Sequence, residues 1–222
     1  MSNDLVKLLL VGTEETLYMV LLSSIVAFLI GVPIGVLLVV TDKGGIFPLY
    51  KVNKIAGFLI NVIRSTPEII LIIILLPLSK FIVGTTLGAN AAIVSISIGS
   101  APFIARIIEN SLKEVEFGKI EAAESMGATP IDIIKKVLLP EALPSIVRGI
   151  TIAIIGIIGF TAIAGAIGAG GLGSLAIRFG YQRFRTDVLI GTVVILVIIV
   201  QAIQLIGDLI AKSINKKRFK FE

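Results

Sequence analysis

The chain has 222 residues, of which 56% are hydrophobic and 16% are charged, and its formal net charge is +5. A soluble domain carries about 25% charged residues, so this composition indicates a membrane protein. The sequence contains no Cys and no His, which excludes thiol nucleophiles, His-based acid–base catalysis and the usual zinc sites. Its basic residues form no patch interleaved with aromatic residues, so we predict no nucleic-acid partner.

Five long apolar stretches follow one another along the chain, and each is close to the roughly 20 residues that cross a bilayer as a helix. They cover residues 17–40, 55–78, 81–105, 149–170 and 188–207. We therefore predict an all-α membrane protein with about five transmembrane helices. The first stretch is too long for a cleavable signal peptide and follows Glu14 and Glu15, so we expect it to remain as a span.

Gly31 and Gly35 lie four residues apart in the first stretch. Small residues at this spacing allow a second helix to approach closely. We predict close helix packing at this pair.

The second stretch contains two ionisable residues, Arg64 and Glu68, on either side of Pro67. Charged side chains inside a bilayer are costly, so they are candidates for a polar pathway through the membrane. Their four-residue spacing also allows them to pair on one helix face. Structural pairing or a place at the membrane surface therefore stays open beside the pathway role.

The Lys and Arg residues are divided unevenly between the two sides that five spans define. Fourteen of the 20 lie on the side of the C-terminus, in residues 41–54, 106–148 and 209–222. Five lie on the other side, and Arg64 lies within a span. Positive residues concentrate in cytoplasmic loops. We therefore expect the C-terminus and the segment 106–148 in the cytoplasm and the N-terminus outside. The basic tail is also compatible with contact to anionic membrane lipids.

The polar segment 106–148 is predicted to form two short helices. The first runs from about Lys113 to Met126, and Gly127 ends it, because glycine adopts the left-handed conformation without steric cost.

The second short helix has a start signal and a stop signal. Thr129 suits the N-cap, Pro130 suits the first helical position, and Asp132 lies near the positive end of the helix dipole. We predict that Pro140 ends this helix.

This segment contains a pattern of spaced residues: Glu121-Ala122-Ala123, then Gly127, Val137, Leu139 and Pro140. Three residues separate the triplet from the glycine, nine separate the glycine from the valine, and one separates the valine from Leu-Pro. These residues and spacings resemble the EAA loop of ABC importer permeases, in which Ile is usual where this chain has Val.

The resemblance implies a type I ABC importer permease fold, with a membrane domain over residues 13–208 and a basic cytoplasmic tail at 209–222. In that family the loop is a coupling helix that docks in a groove of the ATP-binding subunit. The implied coupling residues are Glu121, Ala122, Ala123, Glu124, Gly127, Val137, Leu139 and Pro140. The alanines allow a partner surface to approach closely, and the two glutamates can reach basic groups on it.

Two further segments narrow the resemblance to the permeases of methionine importers. They are 63–69, around the intramembrane arginine, and 165–187, which includes Ile-Arg-Phe-Gly-Tyr-Gln-Arg-Phe at 177–184. The resemblance implies a bacterial cytoplasmic-membrane complex of two copies of this chain, two ATPase subunits that bind ATP and Mg²⁺, and an external substrate-binding protein, often a lipoprotein.

A glycine-rich run follows the fourth stretch, and Gly168, Gly170 and Gly173 match the dinucleotide fingerprint G-x-G-x-x-G. That fingerprint needs a preceding strand and a soluble βαβ unit, so we reject it here. We interpret these glycines, with Gly171, as sites of close backbone packing. The alternative is an external turn that lines the pathway.

The chain has no G-x-x-x-x-G-K-[ST] sequence, so we expect no ATPase site and no cofactor of its own. A gradient-driven carrier is one alternative, and it predicts a paired hydropathy repeat, which we do not see. A glycine-betaine or other osmolyte ABC permease is another, and the 177–184 run argues against it. A non-transporting membrane scaffold stays open.

Overall fold

The computed structural model describes residues 3–218, and within that range it contains helices and no strand. In chain order the helices are α1 (Asn3–Val40), α2 (Tyr50–Arg64), α3 (Glu68–Val83), α4 (Ala89–Lys113), α5 (Phe117–Ser125), α6 (Pro130–Ala166), α7 (Gly171–Leu175) and α8 (Thr186–Arg218). α1, α4, α6 and α8 are each long and apolar enough to cross a membrane, and the bent pair α2–α3 can make a fifth crossing. The predicted all-α membrane fold is confirmed.

α1 begins well before the predicted span 17–40. The earlier residues are also largely apolar, and Leu5 and Leu9 are buried against Leu172 and Val188. This contact packs the first turns of the helix into the bundle, which explains why α1 reaches 38 residues.

α1 and α4 run parallel and touch closely along their second halves. A Cβ built on Gly31 would lie 2.8 Å from the carbonyl oxygen of Ala101, and one on Gly35 would lie 2.6 Å from that of Ala105. Real Cβ atoms do not approach this closely, so glycine is what allows the two backbones to meet. The predicted packing role of this glycine pair is confirmed.

The predicted second span, 55–78, is not one continuous helix. α2 ends at Arg64, α3 begins at Glu68, and their axes are bent by 108°. Pro67 explains the break, because its ring disfavours the α conformation of the preceding residue and it has no N–H to donate.

The bent pair nevertheless traverses the bundle. Ile60 of α2 is buried with Ala105, in the second half of α4. Ile72 of α3 packs in a cluster with Ala92, near the start of α4. α2 and α3 together therefore run antiparallel to α4 and make one crossing.

α4 starts later than the predicted span 81–105, because residues 81–83 complete α3. The turn between the two helices contains Gly84 with φ +79° and Gly88 with φ +87°. Glycine adopts positive φ without steric cost, so the chain can reverse direction here. α4 then continues to Lys113, since its last turns bury Ile108 and Leu112 in the core.

The prediction that Pro140 ends a short helix is wrong, because α6 continues through it. A π-helical turn occupies Ile133–Leu138, and the N–H of Leu139 donates to the carbonyl of Ile134, five residues back. This wider turn accommodates the proline, whose ring would clash with the carbonyl four residues earlier in a regular α-helix.

α6 therefore joins part of the polar segment to the predicted span 149–170 in one helix. It ends at Ala166, earlier than predicted, and Gly168 and Gly170 then turn the chain with φ +98° and +92°. α7 follows and continues into a π-helical turn, Ala176–Tyr181.

α8 extends beyond the predicted span 188–207 at both ends. The predicted basic tail, 209–222, is helical as far as Arg218. Residues 219–222 of that tail lie outside the described residues.

The polar segment and the end of α8 share one end of the bundle. Asp42, just after α1, forms a 2.8 Å ion pair with Lys113 at the end of α4. Asn215, near the end of α8, lines a cavity together with Glu114 and Glu141. The first turns of α1 lie at the opposite end, against α7 and the start of α8, as an odd number of crossings requires.

Candidate functional site

Residues 117–140, named the coupling segment for their resemblance to the EAA loop, consist of α5 and the first turns of α6. Gly127 follows α5 in a left-handed conformation, with φ +77°. The N–H of Gly127 donates to the carbonyl of Glu124 at 2.9 Å, and the N–H of Ala128 donates to the carbonyl of Ala123 at 3.1 Å. This pair of bonds is a Schellman motif, so the predicted helix end at Gly127 is confirmed.

The start of α6 is capped as its sequence predicts. Thr129 is extended, and its hydroxyl accepts a hydrogen bond from the N–H of Asp132 at 3.3 Å, while Pro130 occupies the first turn. The Asp132 carboxylate also lies 2.6 Å from Nζ of Lys136 one turn later. The two helices of the segment are thus fixed on either side of a turn of only a few residues.

α5 is attached to the bundle near its start. It begins at Phe117 rather than near Lys113, because Lys113 belongs to α4. Nζ of Lys119 lies 2.6 Å from Oε2 of Glu141 in α6. No local sequence signal reveals this ion pair, since the two residues are 22 positions apart.

Exposure divides the residues that resemble the EAA loop into two groups. Exposed are Glu121, Ala122, Glu124, Gly127 and Pro140. Half-buried are Ala123, Val137 and Leu139, which pack against a core cluster that includes Ile133 and Leu138. The exposed residues are accessible to another protein, and the half-buried residues hold the segment against the core of the bundle.

Three large apolar side chains are exposed in or beside the same segment. Phe117 is 59% exposed, Met126 is 87% exposed and Ile131 is 63% exposed. Apolar side chains set among acidic residues at one end of a bundle form a surface suited to a protein partner.

An ion network lies at the base of the coupling segment. Glu109, only 6% exposed, is 2.6 Å from Nη1 of Arg106 and 3.0 Å from Nζ of Lys113. Arg106 also donates to Oδ1 of Asn61 in α2 at 2.8 Å. The hydrogen bond from Lys113 holds the pKa of the Asp42 carboxyl below its usual value. The helical spacing of residues 106, 109 and 113 was the available signal for this network.

The glycine-rich run lies where backbones meet. A Cβ on Gly173 would clash with Cα of Ala162, and one on Gly165 would clash with the backbone N of Ser174. Close packing therefore accounts for these two positions.

α1 caps the N-terminus of α7. The N–H of Gly171 donates to Oε2 of Glu15 at 2.6 Å, and the N–H of Leu172 donates to the hydroxyl of Thr16 at 2.9 Å. A Cβ on Gly170 would lie 2.6 Å from the same glutamate oxygen. This cap is not predictable from the sequence, because its partners come from distant parts of the chain.

The break between α2 and α3 separates Arg64 from Glu68. No ion pair joins them among residues 3–218, although both line one cavity of about 220 Å³. The Arg64 guanidinium lies 6.0 Å from the ring centre of Phe103. The structure thus brings both ionisable residues to one cavity without pairing them.

A capped helical pair exposed at one end of a five-crossing bundle is the architecture expected of an ABC importer permease. Residues 31–220 match the family described as "Binding-protein-dependent transport system inner membrane component", and the chain belongs to this family. It is therefore a multi-pass membrane protein and the permease subunit of an ABC importer.

Named relatives narrow the comparison. The chain is 53% identical to the methionine import system permease protein MetP of Bacillus subtilis (strain 168), over 93% of each chain. It is 46% identical to the probable D-methionine transport system permease protein MetI of Vibrio cholerae serotype O1, over 95% of this chain and 93% of the relative.

A solved structure shares the whole fold. It shows inward facing conformations of the MetNI methionine ABC transporter, and it matches with a TM-score of 0.95 at 45% identity, covering 96% of this chain and 99% of the other.

Proposed function

We propose that this chain is the permease subunit of a methionine importer. The observation that supports it most directly is the similarity to a chain of the MetNI methionine ABC transporter, at 45% identity over 96% of this chain. The membrane domain comprises residues 13–208 and the basic tail residues 209–222. The chain has no ATPase site of its own, and partner subunits bind the ATP and Mg²⁺.

The coupling segment receives the motion of the ATPase. The partner docks on the exposed face of Glu121, Ala122 and Glu124, where the apolar side chains around it add contact area. α5 then moves α6, because the Schellman turn and the Lys119–Glu141 ion pair leave little freedom between the two helices.

The complex contains two copies of this chain, two ATPase subunits and an external substrate-binding protein or lipoprotein, surrounded by membrane lipids. It lies in a bacterial cytoplasmic membrane with the C-terminus inside. The bias of Lys and Arg toward the polar segment and the tail supports this orientation.

Complementation tests the substrate. In a methionine auxotroph that lacks its own importer, this chain with its cognate ATPase and binding protein is expected to restore growth on low methionine. The same chain with the ATPase omitted is the control and should not restore growth. Uptake of glycine betaine without uptake of methionine would contradict the proposal.

A further inference from the structure

A cavity of about 220 Å³ lies at the break between α2 and α3, and residues of α4 and α6 also line it. Its polar lining includes Arg64, Glu68 and Ser100, and its apolar lining includes Phe103 and Phe160. It lies away from the coupling segment and from the glycine-rich run, so neither of those features accounts for it.

The two charges of this cavity have opposite signs and are not paired with each other. The 108° bend places Arg64 at the end of one helix and Glu68 at the start of the next. Ionisable residues within membrane spans almost always face a partner or a water-filled cavity. A cavity with one guanidinium and one carboxylate matches a ligand that carries one charge of each sign.

Ser100 provides a third polar group. The residue is 1% exposed, and its hydroxyl has no hydrogen-bond partner within the described part of the chain. A buried polar group without a partner is costly, and a ligand in the cavity that Ser100 lines would supply the missing partner.

The rest of the lining accommodates an apolar group. Phe103 and Phe160 present aromatic rings, which make favourable contacts with alkyl groups and with thioether sulfur. Gly156 also lines the cavity, and a Cβ built on it would meet no heavy atom within 4 Å. Space for a ligand therefore extends to the backbone of α6.

We propose that this cavity binds a zwitterionic α-amino acid with an apolar side chain, as a substrate subsite within the membrane. This inference rests on the proposed function. Arg64 binds the carboxylate in a bidentate geometry, Glu68 binds the ammonium group, and Ser100 adds a hydrogen bond. The two phenylalanines hold the side chain.

Equilibrium binding of radiolabelled L-methionine tests the site. The probe is added to the purified complex of this chain with its ATPase, without nucleotide and without binding protein, and binding to the ATPase alone is subtracted. Saturable binding is expected. Glu68→Gln and Arg64→Met should each weaken it about tenfold or more, because each removes a charge-assisted hydrogen bond. Lys80→Met removes a charge at the far end of α3 and should leave binding unchanged.

A steric pair separates occupancy of the cavity from charge effects. Gly156→Leu fills the cavity and should abolish binding. Gly159→Leu is the control, because a Cβ at Gly159 also meets nothing within 4 Å but Gly159 does not line the cavity. The Gly159→Leu complex should bind methionine as the wild type does. Copurification with the ATPase confirms assembly of each variant.

Methionine uptake by the full wild-type complex is measured in parallel. If the complex takes up methionine but shows no binding, the cavity proposal is overturned and the proposed function stands. The same holds if binding occurs but Glu68→Gln and Gly156→Leu leave it unchanged. Failure of Glu68→Gln to assemble also overturns it, since the carboxylate would then be structural. Absence of methionine uptake with uptake of glycine betaine overturns the proposed function and the cavity proposal together.

Discussion

Gly127 is the position where a single residue sets the geometry of the coupling segment. Its φ is +77°, and a Cβ there would meet nothing within 4 Å. Any effect of a substitution must therefore come from the backbone conformation and not from a clash. An L-residue in the left-handed region costs about 1–2 kcal/mol.

Gly127→Ala is accordingly expected to loosen the turn without affecting the membrane helices. Amide hydrogen exchange of residues 117–138 should accelerate by roughly 5- to 30-fold, because a loss of about 1–2 kcal/mol of local stability corresponds to that ratio of exchange rates. Exchange in α4 and α8 should not change.

Gly118 offers the matched control, because it also has open space around it but has no positive φ. Gly118→Ala should leave exchange unchanged or slow it, since alanine favours a helix by about 1 kcal/mol relative to glycine. Equal acceleration by both substitutions would contradict a role for the left-handed conformation.

The important property of α5 is which of its faces is exposed. Ala122 is exposed, whereas its neighbour Ala123 packs against the core beneath the segment. The resemblance to the EAA loop assigns both alanines to the docking surface. It could not separate them, because the direction of each side chain depends on where α4 and α6 lie.

The two alanines should therefore respond differently to the same substitution. Ala122→Arg is expected to leave the segment folded but to reduce binding of the ATPase subunit at least tenfold in a pull-down. Ala123→Arg should disrupt the segment itself, because overpacking a core costs about 1–3 kcal/mol, and hydrogen exchange of residues 117–138 should rise. Identical behaviour of the two variants in both measurements would argue against this orientation of α5.

Local signals predicted the boundaries of the coupling segment unevenly. The glycine end of α5 and the Thr129 cap depend on a few consecutive residues, and both are confirmed. The end predicted at Pro140 is wrong, because a π-helical turn accommodates the proline and the helix continues into the membrane. Ile133 and Leu138 of this turn are packed in the core, and local sequence rules do not take such long-range packing into account.

Five crossings place the start of α1 and the end of α8 at opposite ends of the bundle. The polar segment lies at the same end of the bundle as the last turns of α8. Fourteen of the 20 Lys and Arg residues lie on that side in the sequence, and such residues are retained in the cytoplasm.

Reporter fusions test this orientation. A fluorescent protein that matures only in the cytoplasm should be bright when fused after Phe221. Alkaline phosphatase, which is active only outside, should be active when fused near Ser2 and inactive after Phe221. Phosphatase activity at both ends would require an even number of crossings and would contradict the fold.

The class of this protein, the number of its crossings, the Gly127 turn and the Thr129 cap at the start of α6 could all be derived from the sequence alone. Apolar length, the glycine turn and the helix cap act through neighbouring residues, so they can be interpreted in the sequence without a structure. The tertiary structure decided the Lys119–Glu141 ion pair, the Glu15 cap on α7 and the cavity that Arg64 and Glu68 line without pairing. Each of these depends on helices that are distant in sequence and meet only when the apolar faces pack together.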